Sequence, residues 1–344
     1  MKHFEDQTHK QPYSRREFLA GVGGTLALGG LVQGLAGGWT AEATAAEAVI
    51  DTTKPMPVCL MSKFLQFLNV ADMAAVTAEI GFDGVDLCVR SGGHVLPERV
   101  ADDLPKAVEE IRKHGLTVPM ITAGIVDTAS PHAESILRTA SALGIRRYRW
   151  GWFNYDLQRS LADQLAEIKP RIKALEEMNL QYKMCAMYHT HSGLGNYGAS
   201  IWDLWYLLKD LDTSAVGINY DIGHATVEGG GGGWMHSLRL LLGNPNQGHG
   251  GLIKGIAVKD FRWEKGADGQ WVSQWCPLGE GMVQVSKFLG IMKKAGFAGP
   301  LQMHFEYPLG GLENGAQQLT IPKQTAYAAM KRDLGVLRGL QAKG

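Results

Sequence analysis

What most constrains the fold is one period that recurs eight times after Pro57. It consists of an apolar strand-like run, a polar loop, an amphipathic helical stretch, often a glycine, and then the next apolar run. The runs are VCLMS, GVDLCV, TVPMIT, RYRWGW, YKMCAMYH, VGINYD, IKGIAVKDF and PLQMHFEY. Near-continuous apolar strands are what a parallel sheet covered on both faces requires. Gly81, Gly115, Gly144 and Gly296 stand where left-handed backbone closes a helix. Eight strands alternating with eight helices predict an α/β fold, a (β/α)8 TIM barrel, built as a single domain over residues 49–344. The rival is a doubly wound open sheet. The absence of a glycine-rich dinucleotide fingerprint after the first strand weighs against it. The helix after the sixth strand is expected to be weak, around WMHSLRLLLG. The glycines from Gly229 to Gly233 read as a mobile loop at the barrel mouth, a lid with Trp234 at its far end.

Residues 1–48 are a different object. Arg15 and Arg16 precede Phe18 and Leu19, then a mildly apolar Gly/Ala/Leu run, then Ala43, Ala45, Ala46 and Ala48. This pattern predicts a twin-arginine export signal that is cleaved, hence a periplasmic or otherwise exported protein with no stable membrane anchor. The glycine content of the run makes a poor spanning helix. Across the chain, 34 Lys and Arg balance 34 Asp and Glu, so nothing draws it generally to nucleic acid or anionic membranes. Cys59, Cys88, Cys185 and Cys276 form no C-x-x-C pair. Buried free thiols are expected of the first three.

In a barrel, function sits at the C-terminal strand ends. There the second strand carries Arg90 and His94 around a Gly-Gly turn, suited to a sugar hydroxyl or carboxylate. The fourth carries Trp150 and Trp152, core residues or stacking surfaces for a sugar ring. The fifth carries His189 and His191, the sixth Asp221 and His224, the seventh Lys259 and Asp260, and the eighth His304 and Glu306. Each alone reads equally as a structural residue. Together they converge on one rim. Mixed Asp/Glu/His donors suit a divalent metal, Mn²⁺, Zn²⁺, Co²⁺, Fe²⁺ or Mg²⁺.

At these residues the chain resembles the xylose isomerase-like sugar phosphate isomerase/epimerase superfamily. GFDGVDL, YHTHSG, YDIGHA, VKDF, PLGEGMV and MHFEY fall in that family's order from Val58 to Tyr307. The resemblance implies one divalent metal held by a Glu on strand five, an Asp on strand six, a His on strand seven and a Glu on strand eight. Asp221 and Glu306 match, and His224 matches a substrate-binding His. His189 stands at the strand-five Glu position and Ala257 at the strand-seven His position. In ketose epimerases of the family the two Glu residues transfer the proton, so this chain departs from that pattern.

The expected metal anchors are therefore His189, Asp221, Glu306 and His304. The expected acid/base groups are His191, His224, Lys259 and Glu306, and the expected sugar contacts are Arg90, His94, Trp152 and His224. The implied partner is a small-molecule carbohydrate, with a homo-oligomer as an open expectation. Three functions stand at this point: a sugar isomerase or epimerase, a lyase cleaving 3-keto-glycosides through the same enolisation, and a non-catalytic carbohydrate-binding barrel.

Overall fold

A computed structural model describes residues 55–243 and 251–343. The export signal lies outside the described residues. Eight parallel strands close into a barrel. They are β1 (Val58–Met61), β2 (Gly84–Val89), β3 (Thr117–Ala123), β4 (Arg147–Trp150), β5 (Cys185–His189), β6 (Val216–Asp221), β7 (Ile253–Val258) and, last in the ring, β10 (Leu301–Met303). β10 pairs with both β7 and β1, which leaves the ring without an edge.

All eight expected helices lie where the periodicity puts them: α1 (Val70–Ile80), α2 (Val100–Lys113), α3 (Ala133–Ala142), α4 (Leu161–Tyr182), α5 (Trp202–Leu208), α7 (Gly233–Leu242, the stretch around WMHSLRLLLG), α8 (Val285–Lys294) and α9 (Lys323–Lys343). Asn69 caps α1 by accepting from the Asp72 amide, and Ser160 caps α4 by accepting from that of Asp163. Gly81, Gly115, Gly144 and Gly296 all take positive φ at the helix ends. All four cysteines are free and buried.

Strand alternation divides the core in two. On β4, Tyr148 and Trp150 face the helices. Tyr148 donates to Asn179 of α4, and Trp150 packs edge-on against Tyr188. Inside the ring, Met120, Cys185 and Met187 form a small separate apolar cluster. Gly255 makes room above it, since a Cβ there would lie 2.7 Å from Asn219 Oδ1 and 2.9 Å from Met187 Sδ. Toward the C-terminal end the interior turns polar, through Asn219 and Gln302 to His189, Asp221 and His304, all buried.

Two expectations are corrected at the sixth and seventh strands. Helix α6 (Ile222–Gly229) begins directly after β6, and α7 (Gly233–Leu242) follows it. The glycine run is thus an elbow between two helices and not a free lid. Trp234 is buried beyond it, its carbonyl accepting from the Tyr220 hydroxyl. A Cβ on Gly229 would lie 2.3 Å from the Trp234 amide nitrogen, so the elbow needs glycine there. The seventh run ends at Val258, and its tail turns back as an antiparallel hairpin, β8 (Asp260–Lys265) with β9 (Trp271–Cys276).

Candidate active site

Asp221 is the last residue of β6 and the N-cap of α6. Its Oδ1 accepts from the His224 amide at 3.1 Å, and its own amide donates to Thr190 Oγ1 at 2.9 Å. That double tie fixes the carboxylate and leaves Oδ2 buried with no hydrogen-bond partner. His189 Nε2 lies 3.5 Å from this oxygen and His304 Nδ1 3.8 Å from it. Both nitrogens are likewise buried and without a hydrogen-bond partner. Three donor atoms from β5, β6 and the end of β10 thus lie within 4.8 Å of one another. Glu306 Oε1 is 3.6 Å from His304 Nδ1 and offers a fourth. The four residues expected to anchor a metal are brought together.

The set fits a divalent cation. Uncompensated buried polar atoms are costly, and a metal satisfies all three at once. His304 Nε2 faces Gln302 Oε1 at 3.2 Å, which favours the tautomer with a bare Nδ1. His189 Nδ1 faces the Asn219 amide nitrogen at 2.9 Å. For His189 to ligate through Nε2, that amide must turn to present Oδ1, an atom that has no partner. Burial lowers the pKa of both histidines, so both are neutral, the form that ligates. Ala257 is fully buried in register with Asp221 and Gln302 and offers no donor atom from its side chain. The imidazole nearest Asp221 Oδ2 besides His189 is that of His304.

A second trio, His189, His191 and His224, is equally compact. It suits a metal less well because its nitrogens are engaged. His191 Nε2 contacts Arg149 at 3.2 Å, while the two nitrogens of His224 face Ser192 Oγ at 2.8 Å and Lys259 Nζ at 2.6 Å. Burial, reinforced by Arg149, drives the His191 pKa down to about 3, so it stays neutral.

Lys259 is buried between the two halves of the site. Its Nζ lies 2.5 Å from Glu306 Oε2 and 3.4 Å from Asp221 Oδ2. It also sits 4.2 Å from the centre of the Trp275 ring, and Trp275 meets His224 edge-on. The hairpin thereby roofs the ammonium. Burial pushes Glu306 up in pKa, but Lys259 and His304 outweigh it and hold the carboxylate well below its usual range. Asp221 moves the other way, raised by burial against the pull of Lys259. Asp260 accepts from the amides of Phe261, Gly279, Gly281 and Val283 and ties the hairpin to the PLGEGMV loop, a structural duty.

A cavity of about 410 Å³ opens beside Glu306, lined also by His191, Ser192, Arg90, Arg149, Lys63 and Trp152. A second of about 450 Å³ is lined by His224, Thr190, Glu228 and Trp202, and shares His191 with the first. Trp152 is half-exposed at the first wall, edge-on to His191. Trp150 is core. Lys259 lines neither cavity, and His224 lines only the second.

His94, expected to contact sugar, lines neither of these two cavities. The turn after β2 folds back through Gly93 N to Arg90 O and Val95 N to Cys88 O, and both His94 ring nitrogens are buried without a hydrogen-bond partner. Sequence reasoning missed Arg149 and Lys63. Arg149 shares a strand face with Arg147 opposite the aromatic pair Tyr148 and Trp150, which alone does not show that it points into the ring. Lys63 carried no signal.

A profile of the family described as xylose isomerase-like TIM barrel matches residues 74–328, well over half of the chain. No curated protein matches. Among solved structures, D-psicose 3-epimerase from Clostridium cellulolyticum H10, determined with D-tagatose, is 10% identical at a TM-score of 0.59, covering 83% of this chain and 99% of its own. The 3-keto-D-glucoside 4-epimerase of E. coli is 15% identical at 0.58, with 83% and 99% covered. A barrel protein from Mycobacterium smegmatis in complex with magnesium is 15% identical at 0.57, with 83% and 98% covered. At such identities the likeness is one of fold. Together with the family match, the closed barrel and the residues at its mouth, it places this chain in the xylose isomerase-like TIM barrel family.

Proposed function

We propose that this barrel is an enzyme of the sugar isomerase/epimerase type that removes a proton next to a sugar carbonyl. The observation that carries this reading is the trio of partnerless buried donors, His189 Nε2, Asp221 Oδ2 and His304 Nδ1, beside a carboxylate that lines a cavity. These three residues, with Glu306, would hold a divalent metal, and that metal would supply Lewis-acid stabilisation of the enediolate oxygens. Glu306 is the carboxylate on the cavity wall and takes the role of base, a weak one for as long as Lys259 is paired to it. Lys259 keeps it ionised and positioned. His191 and Ser192 line both the approach and the wall, where a neutral imidazole and a hydroxyl orient sugar hydroxyls. His224, held between Ser192 and Lys259, positions the ammonium. Trp152 offers an exposed face to a sugar ring.

The second cavity, sharing His191, favours one variant of the same chemistry. A 3-keto-glycoside seated across both cavities would enolise in one and release its aglycone from the other. The test is exchange of solvent deuterium into ketoses and 3-keto-glycosides by protein loaded with Mn²⁺. Exchange that is lost in Asp221→Asn supports the reading, and release of an aglycone selects the lyase variant. Full-length protein that binds sugars without any exchange would instead be a carbohydrate-binding barrel.

Export remains part of the proposal on the strength of Arg15, Arg16 and the glycine-rich run after them. No helix among the described residues is long and apolar enough to cross a membrane. N-terminal sequencing of the mature protein checks cleavage near residue 48.

A further inference from the structure

The first cavity carries more positive charge than its own residues balance. Lys63, Arg90 and Arg149 all line it. Among the described residues none of the three has a carboxylate within ion-pairing distance. Arg149 is only 8% exposed, yet its guanidinium meets just the neutral His191 at 3.2 Å and Met61 Sδ at 4.0 Å. Lys63 lies over the Phe64 ring at 5.4 Å. The one carboxylate on the wall, Glu306, is occupied by Lys259. Asp86 on β2, whose oxygens accept from Thr122 at 2.8 and 3.0 Å, acts on Arg149 and Arg90 through its field without an ion pair to either, so one buried carboxylate faces two guanidinium groups and Lys63 has no share in it. Burial lowers the pKa of Lys63, Glu306 pulls it back up, and Arg90, Arg149 and Lys259 each lower it further, so the cations also act on one another.

A buried guanidinium without a direct ion-pair partner is expensive, and a ligand anion in the cavity would supply that partner. Arg149 has planar N–H donors to spare, the geometry that grips an oxyanion through two parallel hydrogen bonds. We propose that the substrate is a sugar acid, and that Arg149, assisted by Lys63 and Arg90, binds its carboxylate. The proposal rests on the enolisation reading only in calling the ligand a sugar. A phosphate is the less suited anion. Barrels commonly hold phosphate on loop amides after the seventh and eighth strands, and here the amides of Gly279, Gly281 and Val283 are already taken by Asp260.

The experiment is calorimetric titration of the Mn²⁺-loaded protein with D-glucuronate, D-galacturonate, D-glucose 6-phosphate and D-glucose. Hydrogen bonds to a charged group contribute about 1.5–3 kcal/mol, so at least one uronate should bind roughly 10- to 100-fold tighter than glucose. Its affinity should fall with added salt. Lys63→Met/Arg90→Met, at two partly exposed positions, should remove most of that preference while the melting temperature holds. Uronates binding no tighter than glucose, or not at all, overturn the proposal. So does a preference for the phosphate, or a uronate preference that survives in the double variant. Failure here is separable from failure of the proposed reaction. Deuterium exchange into a neutral ketose without uronate preference removes this inference alone, and uronate preference without exchange removes the reaction alone.

Discussion

Replacing Lys259 by Met tests the centre of the site most directly. Lys259 is 3% exposed and Asp221 is fully buried, with 3.4 Å between ammonium and carboxylate and 2.5 Å to Glu306. Removing one member of a buried pair leaves an uncompensated charge, at a cost of roughly 3–5 kcal/mol. For a chain of this size each kcal/mol lowers the melting temperature by about 2–4 °C, so the fall should be roughly 6–20 °C. The variant also presents Asp221 Oδ2 and Glu306 to the cation site without a competing positive charge. Mn²⁺ at about 100 times its dissociation constant returns about 2.7 kcal/mol. The metal-dependent rise in melting temperature should therefore exceed that of the wild-type protein. Thermal melts with and without Mn²⁺, each after treatment with chelator, read both quantities. A variant as stable as the parent without metal would refute the argument that Lys259 neutralises Asp221 and Glu306. An equal Mn²⁺ response in both proteins would refute the sharing of those carboxylates with a metal.

Two further outcomes are expected. Asp86 has its folded-state pKa raised from 3.8 to about 6, so the fold favours the protonated form. Stability should therefore decline as pH rises from about 4 to 7, by about 3 kcal/mol from this residue. Urea melts of Asp86→Asn should lack that decline, and an identical pH profile in both proteins contradicts the assignment. Asp260→Ala strips four backbone amides of their acceptor. It should cost roughly 2 kcal/mol or more and raise hydrogen exchange across residues 279–283, whereas unchanged exchange there would show that the loop is held by something else.

The barrel was legible because its strands are apolar on both faces and its helices end on glycines, two signals that do not depend on tertiary contacts. Asp221, His189, His304 and Glu306 were legible for a related reason, since each lies at the end of a run whose inward face is set by alternation. Arg149 was not, because RYRW places Arg147 and Arg149 on one face, and only ring closure shows that this face points inward at Arg149. The β8–β9 hairpin was missed although WEKGADGQWV carries polar alternation around Asp268–Gly269, a hairpin signal. It was overlooked because it continues directly from a barrel strand. For His94 the sequence leaves the side chain's direction open, because a turn at a strand end does not say which way it folds back. The glycine elbow misled because five of six residues from Gly229 to Trp234 are glycine, which reads as slack until Trp234 is seen to be anchored.

The double tie of Asp221 bears on what a substitution at the site disturbs. Its Oδ1 closes the first turn of α6 while its Oδ2 faces the cation site, so one side chain is committed both to a helix start and to chemistry. His189 and Ala257 occupy strand positions whose backbone pairing is indifferent to the side chain. Replacing Asp221 would therefore disturb a helix start and the buried donor cluster together, whereas replacing the side chain at position 189 or 257 leaves the strand pairing in place and alters the cluster alone.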